Sequence, residues 1–121
     1  MVDEAIAKNR SGAARCVLAV RRMMREAIAE DVVHNAAVDM LLTLFLAGDD
    51  EWMTSADVCA ATFGSDQSCR RWGAVLAERD LVVIEHDRYR LSAHGRAVMK
   101  DVNEAIWSIA DEHLGSPAAS R

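Results

Sequence analysis

The sequence predicts a mainly α chain with one small β-hairpin, ordered as a winged helix-turn-helix with an extra helix at each end. Three observations lead there. The stretch "AAVDMLLTLFLAG" is apolar on nearly every side, so it reads as a central buried helix. A short capped helix, a break at Phe63-Gly64-Ser65 and a second amphipathic helix follow it. Two β-branched runs then flank His86-Asp87, just ahead of a long closing helix.

The elements follow in chain order. Residues 1–12 are polar with one Gly and read as a flexible lead. From Ala13 to Glu30, Val17, Val20, Met24 and Ile28 recur at steps of three and four, while Arg15, Arg21, Arg22 and Arg25 take other positions. The second helix runs from about Asn35 to Ala47 and closes on Gly48. "DDEWM" reads as a loop. Thr54 or Ser55 supplies a capping hydroxyl for a short helix lasting to about Thr62, with Asp57 in its first turn. The next helix spans Asp66 to Arg79, with Cys69, Trp72, Gly73 and Leu76 on its inward stripe. A minimal hairpin turns at His86-Asp87. Ser92 caps the last helix, where Val98, Met99, Val102, Ile106, Ile109 and His113 keep a heptad-like spacing. The expected organisation is one domain over 13–114 with terminal dimerisation helices, and a disordered tail at 115–121.

Composition narrows the function classes. A chain of 121 residues, 51% of them apolar, suffices for a single core. No apolar run approaches the roughly 18 residues of a membrane span, and the first residues lack a signal-peptide profile, so a cytoplasmic, nucleoid-associated protein is expected. Fourteen basic against 19 acidic residues give a formal charge of -5, which argues against a nonspecific nucleic-acid coat but leaves room for a local basic face. Cys16, Cys59 and Cys69 show no metal-ligand spacing and read as reduced thiols, Cys59 and Cys69 as inert packing. The four histidines are scattered, and no catalytic set or phosphate loop stands out. No enzyme activity, cofactor or metal is expected.

The residues that carry chemistry lie on the helix from Asp66. Its leading turns present Gln67, Ser68, Arg70 and Arg71 away from the inward stripe, and the leading turns of such a helix are what reach base edges in a major groove. Gln pairs bidentately with adenine, Arg with guanine, and Ser with a base or phosphate. The same polar face also fits the solvated side of an ordinary helical hairpin. Arg88 and Arg90 alternate with Tyr89, so both point to one face of their strand, as contacts along a phosphate backbone require. The plainer reading is an exposed strand neutralised by Glu85 and Asp87. Trp72 reads as core. Trp107, beside Ile106 and Ile109, fits either packing within the domain or a contact between subunits.

The segment from Ala36 to Met99, with its "VDMLLTLF" core helix, "SCRRWGAVLAERDLV" and "RYRLSAHGRAVM", resembles the winged-helix regulators of the MarR (multiple antibiotic resistance regulator) type. It is most similar to their short, stand-alone alphaproteobacterial members. The resemblance covers about half the chain. It implies a transcriptional regulator acting as a homodimer on double-stranded DNA, with a recognition helix in each major groove and the wing along the backbone. By position, Gln67, Ser68, Arg70 and Arg71 would touch DNA from the helix, and Arg88 and Arg90 from the wing. The dimer would close through Val17, Val20, Met24, Val102, Ile106, Trp107 and Ile109. Nothing in the residues specifies a small-molecule effector. The chain departs from the family pattern in its shorter wing, Phe63 in the turn, Asp80 before the strand, Gly73 on the recognition helix and Asp66 at that helix's start. The alternative is a winged-helix module that binds a protein partner and little or no DNA.

Overall fold

A helix apolar on every side is stable only where other elements cover it, and the fold is organised around that need. The computed structural model describes residues 2–28, 35–62 and 65–115. In chain order they form α1 (Val2–Ala27), α2 (Asn35–Ala47), β1 (Met53–Thr54), α3 (Ser55–Ala60), α4 (Asp66–Glu78), β2 (Val82–Glu85), β3 (Arg88–Leu91) and α5 (Ala93–Leu114). Ala37, Met40, Leu41 and Leu44 of α2 lie fully inside, against Val58, Cys69 and Leu76 of the next two helices and Met99 and Val102 of α5. Gly48, at φ 109°, ends α2 in the left-handed region that favours glycine.

Side-chain caps fix where the following elements start. The Thr54 hydroxyl accepts a hydrogen bond from the Asp57 amide at 3.1 Å and opens α3, while Ser65 accepts from the Ser68 amide at 3.1 Å and opens α4. Ser92 opens α5 by accepting from the Gly95 amide at 2.8 Å, and its own hydroxyl donates to the Asp80 carbonyl. Asp80 itself takes φ 58°, the left-handed turn that brings the chain from α4 into β2. Gly95 is required here for space. A Cβ at this position would stand 1.9 Å from the Leu81 carbonyl oxygen, so α5 starts directly on the backbone of that turn.

Four of the structural features differ from the sequence-based expectations. The first helix begins at Val2, so the residues read as a flexible lead are helical through Gly12. That glycine is a contact point, because a Cβ on it would lie 2.5 Å from the His113 carbonyl oxygen of α5. The sheet has three strands in the order β1-β3-β2, since Met53 and Thr54, read as the end of a loop, pair antiparallel with Tyr89 and Arg88. Two residues are too few to show a strand's period of two. Cys59 and Cys69, read as separate reduced thiols, are joined as a disulfide, because the packing of α3 on α4 sets their Cα atoms 5.7 Å apart. Finally, Met24 at 6% exposure and Val102 at 0% belong to the chain's own core, so their side chains are not presented to a partner. The break at Phe63-Gly64 and the tail beyond Gly115 lie outside the described residues.

Candidate nucleic-acid interface

The orientation of α4 follows from which of its residues are covered. Cys69, Gly73 and Leu76 are buried, at spacings of four and three that keep them on one side of the helix. Trp72 is half-buried at the edge of the same side. Gly73 has a specific neighbour: a Cβ there would stand 2.7 Å from Cε2 and 3.1 Å from the hydroxyl oxygen of Tyr89. Tyr89 therefore fills the space that a larger aliphatic would occupy, and it ties the centre of α4 to the middle strand of the sheet.

With that side fixed inward, Gln67, Arg70, Arg71 and Ala74 are exposed on the opposite face. Ser68 is half-buried, and its amide is engaged in the Ser65 cap. The exposed set recurs at i, i+3, i+4 and i+7, so it forms one continuous strip. Asp66 is also exposed, one turn before Arg70. The strip thus carries two guanidiniums and one carboxamide close to the N-terminal end, where unpaired helix amides add partial positive charge. Ala74 leaves its far end low, which allows close approach of a surface to the helix.

The wing is arranged differently. β2 and β3 pair with Ile84 opposite Tyr89 and Glu85 opposite Arg88, and His86, at φ 57°, makes the tight turn between them. Tyr89 is buried while Arg88 is exposed and Arg90 half-buried, as the alternation along the strand demands. Both arginines lie over the Trp52 ring, with Cζ 5.1 Å from its centroid for Arg88 and 4.7 Å for Arg90. Arg90 also pairs with Asp50 at 3.5 Å, and its Nε is buried without a hydrogen-bond partner among the described residues. Asp49, next in the same loop, pairs with Arg96 of α5. The wing tip is held to the helix-turn-helix through its backbone, where the Ser55 amide donates to the Asp87 carbonyl at 2.8 Å.

Sequence reasoning did not find the Trp52 platform. Its signal was the register: Met53 pairs with Tyr89, so continuing the ladder by one residue sets Trp52 beside Arg90. Without β1 that juxtaposition has no expression in the sequence. An open cleft of about 260 Å³ lies between these parts, lined by Ser55, Ala56, Cys59 and Ala60 of α3, Asp66 and Arg70 of α4, and Asp87 of the wing turn.

The terminal helices pack on each other, as the Gly12–His113 contact shows. Of the residues expected at a dimer contact, Val17 is 52% and Trp107 64% exposed, while Val20, Ile106 and Ile109 are half-buried. Leu18, at 63% exposure, and Leu114, at 50%, add to the uncovered apolar surface. Among the described residues, no helix is long and apolar enough to cross a membrane, and no group of three His, Cys, Asp or Glu side chains is placed to hold a metal ion.

No protein-family model matches the chain, and no curated protein matches it. Among solved structures it is similar to BpsR of Bordetella bronchiseptica, a protein whose DNA binding is regulated by 6-hydroxynicotinic acid. The likeness has a TM-score of 0.57 at 21% sequence identity and covers 88% of this chain and 81% of that one. It shows a shared winged-helix fold, mainly helical with a small antiparallel sheet.

Proposed function

We propose that the chain is a sequence-specific double-stranded DNA-binding transcriptional regulator of the MarR-like type, acting as a homodimer. The observation that carries this reading is the exposed strip Gln67, Arg70, Arg71 and Ala74 on α4, opposite a fully buried Cys69-Gly73-Leu76 side. A major groove accepts such a helix, and its base edges offer guanine and adenine acceptors to arginine and glutamine. Arg88 supplies a phosphate contact from the wing, Arg90 stiffens the strand that carries it, and Ser68 contributes at the groove edge. The likeness in fold to BpsR, a protein that binds DNA, gives the reading a precedent. A second subunit would cover Val17, Leu18 and Trp107 and place two recognition helices on one duplex.

The segment from Asp66 to Arg90 holds five basic and five acidic residues, so few phosphates would be neutralised and the salt dependence of binding would be shallow. The direct test is selection of bound fragments from the source genome by the purified protein, followed by titration at several salt concentrations. Enrichment of a two-fold symmetric site supports the reading. No binding to any fragment even at low salt would sink it.

A second reading, a winged-helix module for a protein partner, is favoured by Arg90 being engaged with Trp52 and Asp50 and by Asp66 at the leading end of α4. The two readings separate at Arg70 and Arg71. Their replacement by Ala abolishes recognition by a DNA reader and leaves a module that binds through its terminal helices unaffected.

A further inference from the structure

The interior of the helix-turn-helix holds a pair of groups that base reading does not use. Cys59 on α3 and Cys69 on α4 are joined across a sequence separation of 10. Their surroundings differ. Cys69 is fully buried, with its sulfur 3.9 Å from the Met40 sulfur of α2. Cys59 is 6% exposed and lines the open cleft, on whose wall Arg70 also lies. Cys59 therefore borders an open space of a size that small solutes enter, while Cys69 is shut inside and is reached through its partner.

We propose that Cys59 and Cys69 form a reversible thiol–disulfide site that takes hydroperoxides as oxidant and small thiols as reductant, with Cys59 as the sulfur that meets both. In oxidation, the Cys59 thiolate attacks a peroxide oxygen of ROOH and the O–O bond breaks. This gives a sulfenic acid on Cys59, while the leaving alkoxide takes a proton to become ROH. The Cys69 thiolate then attacks the Cys59 sulfur, the S–S bond forms, the S–O bond breaks, and hydroxide leaves as water on protonation. In sum, two thiols and one hydroperoxide give one disulfide, ROH and water, and two electrons pass from sulfur to peroxide oxygen. In reduction, an external thiolate attacks the Cys59 sulfur and Cys69 leaves as thiolate. A second external thiol then releases Cys59 and carries away an external disulfide.

The consequence for recognition rests on the DNA reading given above. The bridge ties the leading turns of α4, where Gln67, Arg70 and Arg71 stand, to α3; opening it lets that end of the helix shift. The oxidised form is the tighter binder. A regulator working on DNA shares the compartment where thiols are kept reduced, and disulfides that form there are usually transient and redox-sensing.

The test uses the full chain in a Cys16→Ser background. Thiols counted by maleimide mass shift after denaturation fall from two to none with hydrogen peroxide and return with dithiothreitol. With Cys69→Ser added, dimedone labels Cys59 after peroxide; with Cys59→Ser added instead, Cys69 stays unlabelled. Loss of fewer than two thiols, or labelling of Cys69 in place of Cys59, overturns the proposal. On the same samples, reduction lowers the melting temperature by on the order of 5–10 °C and weakens DNA binding by about 5-fold or more. Equal DNA affinity in both states overturns the control of recognition. Absence of DNA binding in both states, with the thiols still cycling, overturns the DNA reading and leaves the thiol chemistry supported.

Discussion

Helix α4 and the wing each carry a pair of arginines, but the structure holds the two pairs in different ways. On α4, Arg70 and Arg71 stand exposed on a helix whose other side is locked by Cys69, Gly73 and Leu76. On β3, Arg88 and Arg90 lie over one indole, and Arg90 is further held by Asp50. A side chain that already has a partner gains less from a new one, because the old contact is given up first. In the proposed DNA reading the helix discriminates and the wing steadies it, with Tyr89 against Gly73 as the seam between them.

That seam provides the largest expected effect. Gly73→Leu forces atoms into the Tyr89 ring, and overpacking of this kind costs about 3 kcal/mol of folding stability, measured by urea denaturation. Combining it with Tyr89→Ala gives a total smaller than the sum of the two single losses, since each change removes the other's conflict. Strict additivity would mean that helix and wing are not coupled there.

The next effects separate the two regions. Arg70→Ala and Arg71→Ala each weaken specific DNA binding by about 1–3 kcal/mol and relax preference at one base position, with unfolding curves unchanged. Arg88→Ala weakens binding evenly across sequences and lowers the salt slope by about 1, read from titrations at several salt concentrations. For Arg90→Ala the larger change is in stability, about 0.5–1 kcal/mol from the lost contact with the Trp52 face. A base-specific loss from Arg90→Ala would contradict the division between helix and wing. Smallest is Asp50→Ala, within about 0.5 kcal/mol in stability, because the carboxylate is 86% exposed and its pair with Arg90 is screened by water.

Much of this arrangement could be read in the sequence, and the reasons are local. Thr54 and Ser92 announced helix starts because a cap's partner is three residues away. The inward side of α4 showed itself because its spacing follows the helical period, and Arg88, Tyr89 and Arg90 sorted themselves by the strand period. What escaped depends on contacts between residues far apart in sequence. Gly12 falls in a stretch that reads as a flexible lead without His113 against it, and Gly95 carries no signal without Leu81. Trp52 needed the β1 register, and the Cys59–Cys69 bridge needed the crossing of two helices. The burial of Met24 and Val102 depends on the full assembly of the core, so their apolar spacing alone did not distinguish an internal stripe from a surface one.

The contact of Gly12 with the backbone at His113 also bears on how the chain is made. Helix α1 leans on the last turn of α5, so its docked position does not exist until α5 has been synthesised. The helix-turn-helix and the hairpin, whose partners are close in sequence, can form earlier. Docking of α1 therefore waits on a helix far along the chain, while the parts between them can already be folded.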